Sequence, residues 1–313
     1  MQISVIIPVY NAENYVQKAV QSALKQPEVA EVLLIEDCSP DNSLKICREL
    51  EEQNEKVRLM RHHNGQNHGA GATRNLGIEN AKYDYVAFLD ADDFYLPDRF
   101  IYAKKLFEES TDIAGVYEAV GVDFLSSSGK QKWLEKGCKN EVHMTEVVNS
   151  YDLFEALVTS GKGTIHLNGL TVKKKIFDDC GYFFEHLKLH QDTAMVVQMS
   201  VCGKLIPGRS DVPVAMKTIH DQNRILNQHD QRHDKFLYWK TLFYWARERR
   251  LSNRRLKILY HNYIFSMYLL ARNNSLLFPR NLQGLKPLFV ELLRHPFWFI
   301  TGASRFFFGR FVR

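Results

Sequence analysis

Cysteine is scarce in this 313-residue chain, and the five present, Cys38, Cys47, Cys138, Cys180 and Cys202, form no CxxC pair and have no histidine at zinc-ligand spacing. Their odd number argues against a disulfide scaffold and for a reducing, cytoplasmic setting. No run reaches the ~18–20 uninterrupted apolar residues of a membrane span. The nearest, Pro296 to Phe308, is short and contains Arg305. The opening MQISVIIPVY lacks the basic flank and cleavage site of a signal peptide and reads as a β-strand. The turn after it has no GxGxxG, which weakens a nicotinamide or flavin reading, and His68-Gly69-Ala70-Gly71-Ala72 comes too late to serve as one. Internal repeats and low-complexity tracts are also missing.

What is present is globular: 45% hydrophobic and 25% charged residues, enough apolar surface for a large core. The net charge of +5 is unevenly spread. Residues 231–313 hold 16 Lys and Arg against 3 Asp and Glu, a net of +13, so residues 1–230 carry −8. The two parts are expected to meet different partners.

Strand-like runs at Ile3–Val9, Val32–Ile35, Val57–Met60 and Tyr85–Leu89 alternate with helical patterns at Tyr15–Lys25, Ser43–Gln53 and Ala70–Asn80. This predicts an α/β fold with a mainly parallel, doubly wound sheet. Ligands of such sheets lie beyond the strands' carboxyl ends. Further on, Pro97-Asp98-Arg99 is expected to open a helix, strands to occupy Ile113–Val122, an exposed loop Ser126–Met144, helices Tyr151–Val158 and Thr193–Val201, and a strand Val214–Ile219. From about Phe236 the chain reads as a basic, aromatic helical extension.

Chemistry concentrates at the strand ends. The first delivers Pro8-Val9-Tyr10-Asn11-Ala12-Glu13, where the plain alternative is a turn with Asn11 as helix cap. The second delivers Glu36-Asp37-Cys38-Ser39-Pro40-Asp41; Asp37 suits a base NH or a ribose hydroxyl, while Asp41 or Ser39 suits a cap. The fourth delivers Asp90-Ala91-Asp92-Asp93, three carboxylates that repel one another unless donors or a hard divalent ion neutralise them. An acidic surface turn is the alternative.

Taken together, SVIIPVYNAENYVQKAVQSALKQ, VLLIEDCSPDNS and NHGAGATRNLGIENAKYDYVAFLDADDFYLPDR resemble the donor-binding half of family 2 glycosyltransferases of the GT-A fold. The resemblance covers roughly residues 3–100, weakens to about 225 and leaves the last eighty residues unmatched. It implies that Pro8, Tyr10 and Glu13 line a nucleotide pocket, that Asp37 accepts a hydrogen bond from the base, that Arg74 contacts the donor nucleotide, that Asp90 approaches the ribose or the sugar, and that Asp92, second acid of a DxD pattern, binds Mn²⁺ or Mg²⁺. The common DDGS run is here Glu36-Asp37-Cys38-Ser39. Asp192, within His190-Gln191-Asp192, aligns with the general base of an inverting single displacement; as a bare pattern it equally caps the helix that follows. His220 and Arg224 could close over the diphosphate, His220 as a phosphate or metal contact, or belong to a solvated loop. His62, His63 and His68 read as loop or surface residues.

The expected organisation is a GT-A domain at 1–228, with a donor half 1–100 and an acceptor half 101–228, followed by a basic aromatic helical region at 229–313. In that region Arg247, Arg249, Arg250, Arg254, Arg255 and Lys257, with Phe289, Phe297, Trp298, Phe299, Phe306, Phe307, Phe308 and Phe311, suit an anionic membrane surface better than nucleic acid, for which no motif appears. A packed helical subdomain with a solvated basic face is the alternative. The resemblance implies a transferase moving a sugar from a nucleotide sugar, a UDP-sugar first among them, to a glycan or lipid-linked glycan in polysaccharide biosynthesis, peripheral on the inner face of the cell membrane. A nucleotidyltransferase with a similar acidic site, or a non-catalytic scaffold derived from a transferase, remains open on the residues alone.

Overall fold

The computed structural model describes residues 1–63, 65–137, 144, 146–159, 162–221, 223 and 231–273. The chain divides into two compact units, Met1–Gln228 and His229–Arg313.

The first unit opens with β1 (Ile3–Val9), α1 (Val16–Leu24), β2 (Val29–Glu36), α2 (Ser43–Gln53), β3 (Val57–Arg61), α3 (Gly69–Asn80) and β4 (Tyr85–Phe88). It continues with β5 (Phe94–Tyr95), α4 (Ile101–Glu109), β6 (Ile113–Tyr117), β7 (Val120–Phe124), α5 (Ser127–Glu135) and α6 (Leu153–Thr159). A short 3₁₀ turn (Leu167–Gly169) precedes β8 (Leu170–Lys173), α7 (Ile176–Cys180), α8 (Gln191–Cys202), β9 (Lys204–Pro207) and β10 (Ala215–Ile219). Among the described residues, seven strands form one sheet in the order β3-β2-β1-β4-β8-β6-β9, and β5-β10-β7 form a second. β1, β2, β3 and β4 run parallel, whereas β8 is antiparallel to both β4 and β6. The expected α/β architecture therefore holds, with one reversed strand that the β-α pattern did not announce.

Period-2 alternation explains how β1 and β2 sort their side chains. Ile3, Val5, Ile7 and Val9 join Val32 and Leu34 in one apolar layer with Val16, Ala19 and Val20 of α1 and Cys47 of α2. Ile6, Leu33 and Ile35 face the other way, with Ile78 of α3 and Met195, Val196 and Met199 of α8. The helices thus cover opposite faces. Because β1, β2 and β4 are parallel, their carboxyl ends share one edge, and β1 pairs with β2 on one side and β4 on the other.

Three local expectations are corrected. Pro97 does not open a helix: Pro97–Phe100 is a turn with Asp98 at positive φ, and α4 begins at Ile101. Asn11 is no cap; it too has positive φ, and α1 starts five residues later behind Tyr15. The first half of the loop expected at Ser126–Met144 is helix α5, capped by the Ser126 hydroxyl, which accepts from Gly129 N–H, and anchored by buried Trp133. Its polar sequence reflects a helix with one apolar contact, not the lack of one. Residues 138–143 lie outside the described set.

The described part of the second unit is a helical hairpin, α9 (Arg232–Glu248) and α10 (Asn253–Asn273). Phe243 packs on the rings of Tyr260 and Tyr263 at 5.2 and 5.8 Å. The aromatic run from Phe289 to Phe311 lies outside the described residues, and among those described no helix is long and apolar enough to cross a membrane. Burial pushes the Cys47 thiol up to about 12.

Candidate active site

The loop after β2 is fixed first. Glu36, the last residue of that strand, spends its carboxylate locally: Oε1 accepts from Ser39 N–H and Oε2 from Arg61 Nε at 2.8 Å. Asp37 is 2% exposed and accepts from His68 and Gly69 N–H, both at 2.8 Å. A carboxylate on the exposed amides that open α3 also meets the positive end of the helix dipole. Each oxygen keeps a second lone pair. Beside it, His62 lies 3.9 Å from Asp37 and packs its ring on His68 at 4.3 Å. His62 is thus a loop residue, as expected, and a mostly buried neighbour of Asp37. Burial, then His68, pushes its pKa below the ordinary imidazole value.

The turn after β1 is tied to the same loop. Glu13 N–H donates to Asp41, and the Glu13 carboxylate accepts from Asn42 N–H and Nδ2 at 2.9 and 2.8 Å. Glu13 therefore braces the loop. Pro8 pairs with Ile35 at the end of the parallel ladder, and Tyr10 stands 49% exposed beyond it. An exposed aromatic at this edge is suited to stack on a planar base.

The acidic turn after β4 lies where the strand order changes direction around β1 and β4, the place where such sheets bind ligands. Asp90 Oδ1 lies 2.6 Å from Arg74 Nη2 of α3. Burial acts to raise its pKa, but the charges of Arg74, His166 and Lys217 outweigh this and hold the carboxyl down to about 2. Arg74 Nε and Nη1 are buried without a partner. Asp93 turns inward, its two oxygens taking Thr218 N–H at 2.7 Å and Asn168 Nδ2 at 2.6 Å. Burial and Asp92 push its carboxyl well above the usual range. Asp92 points the other way, its Oδ2 lying 3.2 Å from both His220 Nε2 and Asn223 Nδ2.

Two residues absent from the sequence reading complete the site. His166, just before the 3₁₀ turn, and Lys217, on β10, approach to 3.4 Å. Burial, then Lys217, drives the imidazole down to about 4, so it is neutral at neutral pH. Burial works against the Lys217 charge, but Asp93, Asp90, Asp92 and Asp192 together hold its pKa above the ordinary value. Asp192 follows Gln191, whose side chain packs at Gly71 of α3, the helix that carries Arg74, and its charge bears on both His166 and Lys217. It sits inside the first turn of α8, which starts at Gln191 behind a left-handed His190, and its Oδ1 accepts only from its neighbour Thr193.

Asn168 and Arg99 hold the acidic turn from behind. The Asn168 side chain accepts from Asp90 N–H at 3.1 Å while donating to Asp93. Arg99, fully buried, donates to Asn168 O and pairs with Glu118 at 2.8 Å. Gly169 permits this approach, since a Cβ there would collide with the Glu118 carbonyl. No local pattern marks these residues; the Asn168 contacts join segments 69 to 78 positions apart.

The site therefore collects Asp90, Asp92, Arg74, Asp192 and His220, with Asp37, Glu13, Pro8 and Tyr10 at the adjoining strand ends. Arg224 lies outside the described residues. Among the described residues two donor groups suit a divalent ion. Asp90, Asp93 and His166 offer ligand atoms within 4.8 Å of one another. Asp92 and His220 offer a carboxylate and an imidazole, a donor set that suits Mn²⁺ and admits Mg²⁺ through the carboxylate.

An acidic, strand-end site on a mainly parallel α/β sheet is the arrangement of nucleotide-dependent GT-A transferases. Residues 4–153 match the model of Glycosyl transferase family 2. An uncharacterised glycosyltransferase of Haemophilus influenzae is 41% identical over 98 residues, 31% of this chain and 38% of that protein. The chain spans under two-fifths of the length of the curated relatives it matches first. In fold it is similar to S. aureus TarS residues 1–349 in complex with UDP-GlcNAc, with TM-score 0.65 and 18% identity over 90% of this chain and 78% of that one. It is also similar to a mannosyltransferase of Pyrobaculum calidifontis in complex with GDP-Man and Mn²⁺, with TM-score 0.55 and 14% identity over 98% and 87% of the two chains.

Proposed function

We propose that the protein is an inverting glycosyltransferase that uses a nucleotide sugar, with a UDP-sugar as the first candidate, and a hydroxyl of a glycan or lipid-linked glycan as acceptor. The observation that carries this is the Asp90–Arg74 pair at 2.6 Å, with the first turn of α8, which holds Asp192, packed through Gln191 on the helix that carries Arg74. A base and a donor-binding group on one site are what a single displacement requires. UDP-GlcNAc and GDP-Man in the two similar structures support a nucleotide-sugar donor.

In this reading the base packs on Tyr10 and donates to Asp37, and Arg74 and Asp90 orient the sugar and its phosphates. Asp192 accepts the proton of the acceptor hydroxyl, whose oxygen bonds to the anomeric carbon. The bond from that carbon to the phosphate oxygen breaks on the opposite face, and the nucleoside diphosphate leaves. One displacement inverts the anomeric centre, and base assistance of this kind contributes ~10²–10⁴-fold. Asp92 and His220 would hold Mn²⁺ or Mg²⁺, which when bound offsets charge growing on the leaving diphosphate. Tyr15 stacks on the His220 ring at 4.6 Å and keeps it facing Asp92.

The basic face of α9 and α10 is proposed to meet anionic lipid, each cation contributing ~1 kcal/mol near the surface. Vesicle flotation tests this: Arg249→Ala/Arg250→Ala/Arg254→Ala in the full chain weakens binding to anionic vesicles, and unchanged flotation refutes it. Screening nucleotide sugars for Mn²⁺-dependent turnover tests the reaction itself. Turnover of nucleoside triphosphates instead would make the protein a nucleotidyltransferase.

A further inference from the structure

Asn75, on α3, spends its side chain on a segment 108 to 110 residues away. Its Oδ1 accepts from Phe183 N–H at 2.8 Å, and its Nδ2 donates to Phe183 O and to Glu185 Oε1, both at 3.0 Å. Both backbone groups of Phe183 are thereby tied to one buried amide. The Phe183 ring stands edge-on to Phe88 of β4 at 5.6 Å and lies 5.6 Å from the guanidinium carbon of Arg74, which pairs with Asp90. Close by, a Cβ at Gly71 would stand 3.4 Å from Phe184 O and 3.7 Å from Gln191 Cγ. Gln191 opens α8, and Asp192 follows it. Where the segment leaves α7, Gln198 of α8 donates to Cys180 O at 2.9 Å. The stretch between α7 and α8 is thus held by α8 at its start and by α3 in its middle.

We propose that Asn75 is the positioning residue for Asp192: by clamping Phe183 and Glu185 to α3, it sets the start of α8 against the helix whose Arg74 holds the donor side of the site. This rests on the reading of Asp192 as the base and adds what fixes its distance from the donor. The position asks for one acceptor and two donors on a short side chain, which an amide supplies and an ionised carboxylate does not. A base has to come within ~2.6–3.2 Å of the hydroxyl it deprotonates. A rigid link between the two halves of the site is therefore worth more to turnover than to donor binding.

Wild type, Asn75→Ala, Asp192→Asn and the double variant form the test. Each is assayed with Mn²⁺ for release of nucleoside diphosphate from the nucleotide sugar that the wild type cleaves, with water as acceptor, and for UDP affinity by calorimetry. Asn75→Ala is expected to lower kcat by ~10²-fold, the scale of a 1 Å misplacement, with UDP affinity unchanged because Arg74 keeps Asp90. In the Asp192→Asn background the same change is expected to cost nothing further, since the group it places is gone. An equal loss in both backgrounds overturns the proposal, as does an unchanged kcat or a parallel fall in UDP affinity. Hydrogen exchange reads the clamp apart from turnover: the N–H groups of Phe183 and of Ala194, which donates to His190 O, are expected to exchange faster in Asn75→Ala. Unchanged protection overturns the proposal. If Asn75→Ala does not fold, Gly71→Val takes its place in the cycle with the same expected pattern, for it keeps the three hydrogen bonds and sets methyl groups against Phe184 O and Gln191. Wild-type turnover in Asp192→Asn would sink the base reading, and exchange alone would then decide whether Asn75 holds the start of α8.

Discussion

Asn168 reaches both ends of the acidic turn: its Nδ2 lies 2.6 Å from Asp93 Oδ2, and its Oδ1 accepts from the Asp90 N–H at 3.1 Å. One side chain thus sets the direction in which Asp90 and Asp92 leave the sheet. Asn168→Ala is expected to cost about 1–3 kcal/mol in urea unfolding, the range for leaving a buried polar group without its partner. Asn168→Asp, which sets a carboxylate against Asp93, is expected to be worse. A neutral effect of both changes would show that the turn holds itself.

Behind Asn168, Arg99 and Glu118 form an ion pair with no exposed side-chain surface. Burial raises the Glu118 pKa despite Arg99, so the glutamate depends on its partner to stay ionised. Arg99→Met is expected to destabilise by about 3–5 kcal/mol, because a lone buried charge remains. Arg99→Met/Glu118→Met is expected to recover much of that, measured by the same unfolding curves.

Asp192→Asn preserves the oxygen that takes Thr193 N–H at 2.7 Å. The variant is expected to stay within about 0.5 kcal/mol of wild-type stability. Its kcat should fall by ~10²–10⁴-fold, with UDP affinity unchanged, if the carboxylate takes the acceptor's proton. Parallel losses in UDP affinity and turnover would instead place Asp192 among the donor contacts.

Burial acts to raise the Asp41 pKa, but hydrogen bonds from Ser43 and from Glu13 N–H outweigh it and bring it below the ordinary value. A carboxylate with a depressed folded pKa stabilises the protein above its unfolded pKa of about 3.9 and loses that contribution as pH falls through the lower folded value. Asp41→Asn should therefore be less stable than wild type at neutral pH, with the gap narrowing below about pH 4. Stability measured by thermal unfolding across that window checks the sign; a gap that widens in acid contradicts it.

The strand-end acids were legible because an apolar run such as YVAFLD followed by charge leaves few other readings, and the parallel sheet then places Asp37 and Asp90 at one edge. Ser43–Gln53 was found to the residue because its apolar spacing matches its burial. His166, Asn168 and Lys217 were not legible: each is a lone polar residue in an unremarkable run, brought in by the reversed strand β8 and by the second sheet. Arg99 looked like a polar residue near the start of a helix, yet it is fully buried. Glu36 and Asp37 are sequence neighbours, and strand alternation sends one to Arg61 and the other to the start of α3.

These residues are proposed to turn over a nucleotide sugar with an ion held by Asp92. Release of nucleoside diphosphate from a panel of nucleotide sugars with Mn²⁺, in wild type and Asp92→Asn, tests it most directly. At least one sugar donor should be cleaved by the wild type, with the rate lost on chelation and in Asp92→Asn. Cleavage that persists at the wild-type rate in Asp92→Asn, or turnover of nucleoside triphosphates alone, would contradict the account.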